Sequence, residues 1–197
     1  MVRPLPAEIA WPRCRRVTLK PFPYGMTAAE WRGFWESFRD PEIAEWNGNR
    51  PLRMPLWLFK RVVMGEIKRG HRLGFVILDE HGDWLGTVEL YDFNGREATL
   101  GIILGRKERW GRGYGREAVA AVLAYAFHHL GLERVKLSTF AHNMRARRAF
   151  SAAGFRERGE VNLPGGKKDV LMEAWKDDWR NPCNEKGDGR GGSAGGL

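Results

Sequence analysis

Cysteine is scarce: Cys14 and Cys183 are the only two in the chain, one near each end. So sparse a pair makes neither a disulfide framework nor a cysteine-based metal motif, and thiol redox chemistry is not expected. The five histidines fall in no metal-ligand spacing, so no metal is expected either. Long apolar runs are missing as well, none approaching the roughly 18 residues of a membrane span. The first twenty residues carry charges and prolines where a secretory signal would be apolar. A soluble cytoplasmic protein with no membrane partner is the expectation. No Gly-Lys-Ser or Gly-Lys-Thr occurs, which excludes a Walker loop and ATP hydrolysis through one.

What is present is apolar mass and positive charge. With 43% hydrophobic residues over 197 positions, the chain can bury one sizeable core. Lys and Arg number 33 against 24 Asp and Glu, a formal charge of +9. The arginines are scattered through most predicted helices rather than clustered, so the charge suits a phosphorylated cofactor better than a dedicated nucleic-acid platform.

Three segments divide the chain: an irregular N-terminal arm over 1–14, a single domain over 15–180 and a Gly-rich tail over 181–197, expected to be disordered. Val17 and Leu19 alternate in a short strand. Thr27 and Glu30 form a capping box ahead of Trp31, Phe34, Trp35 and Phe38 at helical spacing. Asp40-Pro41 starts a second helix, and Pro55 a third with Leu56, Phe59, Val62, Val63 and Ile67 as its buried stripe. RLGFVIL, WLGTVELY and ATLGIILG then read as a three-strand antiparallel meander, the last turn marked by Asn94-Gly95. A helix carrying Val119, Val122, Leu123, Ala126, Phe127 and Leu130 crosses to the strand RVKLSTF; a short helix and two strands follow. The fold class is α/β: one domain with a mixed sheet flanked by helices.

Between strand and crossover helix stands GRKERWGRGYGRE, residues 105–117. Gly111, Gly113 and Gly115 let main-chain amides approach an anion without a Cβ barrier, at a helix entrance whose first amides lack partners. Phosphate or pyrophosphate fits that chemistry, with Arg112 and Arg109 as supplementary cations. A dinucleotide fingerprint would need glycine at 116, where this chain has Arg, so NAD is disfavoured.

These residues resemble the GCN5-related N-acetyltransferase superfamily, whose hallmark is Gln or Arg, two residues, Gly, one residue, then Gly or Ala. Gly113 and Gly115 match its glycines, and Trp110 stands for the first polar residue. The WGRGYG form is similar to that of the ribosomal-protein alanine N-acetyltransferase branch, as is VKLSTFAHNMRARRAFSAAGF. The resemblance is close over about residues 98–160. It implies the acetyltransferase fold, with a sheet splayed at its centre, and acetyl-coenzyme A as cosubstrate, with no metal. By the same resemblance, amides from Arg112 through Gly113 and Tyr114 to Gly115 hold pyrophosphate and Asn143 contacts pantetheine. Backbone groups of Ile102, Ile103 and Leu104 line the pantetheine arm, Ile103 also polarising the thioester. Trp46, Asn47 and Asn49 fall in the region where the family recognises its acceptor. Arg147 or Arg148 could reach outer phosphates.

Two positions depart from the pattern. Many relatives carry Tyr where this chain has Phe150, and Phe cannot protonate a leaving thiolate. The branch often has Glu where this chain has Thr99, which leaves Glu89 on the preceding strand as the strongest candidate base. Glu97, Asp92, His71 and His142 are further polar candidates, and Ser151 a weaker substitute acid. The expected activity is acetyl transfer from acetyl-coenzyme A to a primary amine, with a protein N-terminal amine preferred and a ribosomal protein compatible with the charge. A small-molecule polyamine or aminoglycoside acetyltransferase, and a non-catalytic acetyl-coenzyme-A-binding regulator, stand as alternatives. Trp57 falls outside the apolar stripe of its helix and is expected either to cover the pocket or to join a subunit interface, so a homodimer stands among the expected partners.

Overall fold

The chain first pairs with itself where an irregular arm was expected. In the computed structural model, which describes residues 11–23 and 25–184, Arg13–Cys14 (β1) pairs antiparallel with Val17–Phe22 (β2). Cys14 is buried against the core, and its sulfur is bonded to that of Cys183. This corrects the expectation of two unrelated cysteines. Their separation of 169 residues conceals the pairing, which only the folded chain brings about by returning its C-terminal segment to β1. Closing so long a loop restricts the unfolded ensemble and stabilises by about 2–4 kcal/mol. It also bears on the expected cytoplasmic setting, because reducing compartments keep such thiols apart. Of the predicted tail, residues 181–184 are described and include this bridge; residues 185–197, like 1–10 of the predicted arm, lie outside the described residues.

Local sequence sets the first helices. Ala28–Arg39 (α1) starts at the Thr27/Glu30 capping box, in which each side chain accepts from the other residue's amide. Pro41–Trp46 (α2) starts at Asp40, whose Oδ1 accepts from the amides of Glu42 and Ile43. Leu56–Lys68 (α3) buries Phe59 but leaves Val62 47% exposed, so the apolar stripe is narrower than its spacing suggests. Phe34 sits at the middle of the aromatic cluster joining α1, α3 and β2, with ring centroids 5.6 Å from Phe22, 5.4 Å from Phe38 and 5.1 Å from Phe59.

The meander forms as expected from Arg72–Leu78 (β3), Trp84–Asn94 (β4) and Glu97–Leu104 (β5). Tyr114–His128 (α4) then crosses to Arg134–Phe140 (β6), and Met144–Ala153 (α5), Arg156–Asn162 (β7) and Lys168–Trp175 (β8) follow. Among the described residues an eight-stranded sheet runs β1-β2-β3-β4-β5-β6-β8-β7 and is mixed because β5 and β6 are parallel. Alternation along β3 divides the core: Phe75 and Ile77 join the cluster around α4, whereas Val76 joins the aromatic cluster of α1 and α3.

The parallel pair is short. Glu97, Ala98 and Thr99 pair with Arg134, Val135 and Lys136, and there the ladder ends although both strands continue. Glu97 clasps the closed end, taking both Arg134 and Lys136, and the Lys136 bond pulls its carboxyl below the usual glutamate range. Beyond Thr99 the strands diverge and leave one edge of β5 unpaired. The expected splay is therefore a property of register.

Candidate active site

A cavity of about 720 Å³ fills the gap between β5 and β6 and runs to the start of α4. Its far wall is the glycine turn. Trp110 donates its indole N–H to the Leu104 carbonyl at 2.9 Å, tying the turn to the last residue of β5. This gives the tryptophan at the position of the family's polar residue a definite role. Gly113 caps α4 at φ +90°, a conformation that an L side chain resists, and contributes no side-chain hydrogen bond. The first helical carbonyl bond is from Glu117 to Gly113, and the amides of residues 111–116 have no backbone acceptor among the described residues. These unpartnered donors lie beside Gly111, Arg112, Gly113 and Gly115 in the cavity wall and fit a pyrophosphate.

The turn is braced from behind by a pair that sequence reading missed. Glu117, 3% exposed in the first turn of α4, accepts from the Arg16 guanidinium at 2.6 Å and from its backbone amide at 3.0 Å. The same guanidinium donates to the Arg112 carbonyl at 2.8 Å. A separation of 101 residues hid this contact. Arg109 also turns away from the cavity, to Asp79 at 3.4 Å and to the Tyr114 hydroxyl. The Tyr114 ring is buried behind the turn, with its hydroxyl bonded to Glu80, so only its main chain remains at the anion site. Arg112, Arg116, Arg145 and Arg148 line the cavity instead. Arg145 lies 3.9 Å over the Trp110 ring and 5.5 Å over Trp46; desolvation there lowers its pKa. Arg147 is held outside by Glu157 and the Ala141 carbonyl.

Asn143 lines the cavity and also caps α5, its Oδ1 accepting from Ala146 at 3.2 Å. Its Nδ2 has no protein acceptor among the described residues and is available to a ligand. Along β5 the alternation assigns main-chain groups. Gly105 donates to Leu85, and the Ile103 carbonyl points at Gly86, so Ile103 spends its polar groups in the β4–β5 ladder. Leu100, Ile102 and Leu104 face the splay, and the Leu104 carbonyl is already taken by Trp110. Ile102 is thus better placed than Ile103 for a pantetheine contact, contrary to the expectation for Ile103. Phe150 lines the cavity; Ser151 is exposed and does not.

On the other side of β5, a second cavity of about 420 Å³ opens beneath α1 and α3. Both cavities reach Tyr91, Gly101, Ile102 and Ile103. Glu89 lies in the second, opposite Gly101 in the ladder, and its Oε1 accepts from Arg72 at 2.8 Å. Burial pushes its carboxyl above the usual glutamate range, while Arg72 opposes the rise. Oε2 has no protein donor among the described residues. Gly101 makes this approach feasible: a Cβ there would lie 3.2 Å from the Tyr91 ring and 3.6 Å from Glu89.

The acceptor triad is divided. Asn49 lines the second cavity, whereas Trp46 and Asn47 line the first. His142 stacks on Phe140, His71 is exposed and Trp57 stands 67% exposed, away from both cavities. Among the described residues no group of three or more His, Cys, Asp or Glu is placed to hold a metal, and no helix is long and apolar enough to cross a membrane.

Residues 16–156 match the acetyltransferase (GNAT) domain family. No curated protein matches the sequence. Among solved structures, spermidine N-acetyltransferase from Vibrio cholerae, in complex with CoA and spermine, superposes with a TM-score of 0.73 at 21% identity, over 83% of this chain and 98% of that one. A GNAT-family acetyltransferase from Bacillus anthracis gives 0.70 at 16% identity, over 85% and 99%. At such identities the likeness speaks for the fold.

Proposed function

We propose, from the premise that this chain belongs to the acetyltransferase (GNAT) domain family and is an acetyl-coenzyme-A-dependent N-acetyltransferase, that its acceptor amine reaches β5 from the cavity holding Glu89. The observation carrying this reading is the junction of two cavities across Gly101–Ile103, one lined by unpartnered amides and arginines, the other by a desolvated carboxylate. Amides of residues 112–115, supported by Arg112, Arg145 and Arg148, hold the pyrophosphate, and Ile102 and Asn143 orient the pantetheine arm. Acetyl-coenzyme A supplies the activated acyl group as a thioester. Glu89 Oε2 takes a proton from the incoming ammonium, directly or through water, freeing the nitrogen lone pair for attack. Confining both partners beside one strand replaces a bimolecular encounter. Phe150 offers no proton, so solvent protonates the departing thiolate.

The acceptor we favour is a protein or peptide N-terminal amine, in keeping with the WGRGYG form similar to the ribosomal-protein branch. A polyamine acceptor is the second reading, supported by the likeness to spermidine N-acetyltransferase. Release of free thiol from acetyl-coenzyme A with peptide and polyamine panels, and mass spectrometry of the products, tests both. Firm cofactor binding without turnover on any amine would refute the catalytic assignment.

A further inference from the structure

Polyamine recognition requires several carboxylates spaced to pair with several ammonium groups, because each desolvated cation needs its own counter-charge. The cavity holding Glu89 does not provide them. The acidic groups lining it are Glu66 and Glu89, and Arg72 lies between, 2.8 Å from Glu89 and 3.9 Å from Glu66. Glu66 is further engaged by Arg69. With Glu66 taken by Arg69 and Glu89 Oε1 by Arg72, Glu89 Oε2 is left as one acceptor for a single ammonium, and the chain as a whole carries +9, which repels a polycation.

Most of the rest of the wall is apolar, with Asn49, Thr87 and Tyr91 as its uncharged polar members. Phe22, Phe34, Phe38 and Phe59 line it with Val63 and Ile67, and the phenyl rings belong to the edge-to-face cluster beneath α1 and α3. From the cavity's paired charges and aromatic wall we infer that the acceptor is a primary monoamine on an apolar, aromatic-sized stem: a free arylalkylamine, or a peptide whose first residue has such a side chain. This rests on the assignment of the cavity holding Glu89 as the acceptor site. The ammonium meets Glu89 Oε2, while the stem fills the space between the rings and β5. Burying a phenyl-sized stem selects it over a polar one by on the order of tenfold to a hundredfold.

The test uses the full chain with saturating acetyl-coenzyme A and three acceptors: 2-phenylethylamine, a short peptide beginning with Phe, and spermidine. The expected result is a kcat/KM for one or both aromatic amines at least tenfold above that for spermidine, the two aromatic arms telling a small amine from a peptide. Val62, at the cavity wall and exposed, supplies a variant that should fold. Val62→Glu adds an unpaired carboxylate and should raise the spermidine value severalfold while lowering that for 2-phenylethylamine. Spermidine preferred by the unsubstituted chain, or equal values for all three acceptors, would overturn the inference yet leave the acetyltransferase assignment standing. So would a Val62→Glu chain whose preference is unmoved. Cofactor binding by calorimetry without turnover on any acceptor would remove both together.

Discussion

The two sides of β5 are built in opposite ways. Toward β6 lies a cavity of main-chain amides and arginines, made largely from one stretch of sequence, residues 99–116, with α5 opposite. Toward α1 and α3 lies a smaller, aromatic cavity assembled from β2, β3, β4, α1, α3 and β5. The first is fitted to a ligand whose phosphates do not vary. The second reaches the same strand with little charge of its own, and its walls come from elements free to differ without disturbing the first. With the acceptor placed as proposed, cofactor binding and acceptor choice are separated by one strand.

Substitutions on either side should tell them apart. Glu89→Gln has the largest expected effect: kcat falls about 10²-fold or more while the KM for acetyl-coenzyme A holds. Only the carboxylate accepts a proton, and burial raises its pKa, so wild-type kcat should fall with decreasing pH through a value above the ordinary glutamate range. That limb should vanish in the Gln variant. On the cofactor side, Gly113→Ala forces a side chain into φ +90° and brings a Cβ to 3.2 Å from Arg16. The expected cost is about 1–2 kcal/mol of stability, read as a lower Tm, and a KM for acetyl-coenzyme A raised roughly tenfold with relative acceptor preference unchanged. Arg145→Ala should weaken acetyl-coenzyme A by about three- to tenfold and flatten the dependence of that affinity on salt, measured by calorimetry. Phe150→Tyr, the smallest change, restores a proton donor and should raise kcat a fewfold, checked by steady-state thiol release. A change of acceptor preference in either arginine or glycine variant would break the separation.

What could be read from the sequence follows the same division. The glycine turn, the capping box at Thr27 and the meander are contiguous, with spacings set by local geometry, so sequence alone located them. Asn143, named from the resemblance for pantetheine, lies in the same contiguous segment as the helix it caps. Arg16 with Glu117 and Cys14 with Cys183 are joined only by the tertiary fold, across 101 and 169 residues. Glu89 was nameable as a carboxylate near β5, but its partner Arg72 depends on strand register, which a one-residue slip would reverse. The same alternation turned the Ile103 amide and carbonyl toward β4 and left those of Ile102 facing the splay. Arg109 and Arg145 were equally basic in sequence, and only the folded turn sends one to Asp79 and the other over Trp110.

The bridge between Cys14 and Cys183 has a practical corollary. A protease that nicks the exposed tip between β3 and β4 cuts between the two sulfurs, so the halves stay fastened as one particle on a non-reducing gel. Adding dithiothreitol should split that band in two.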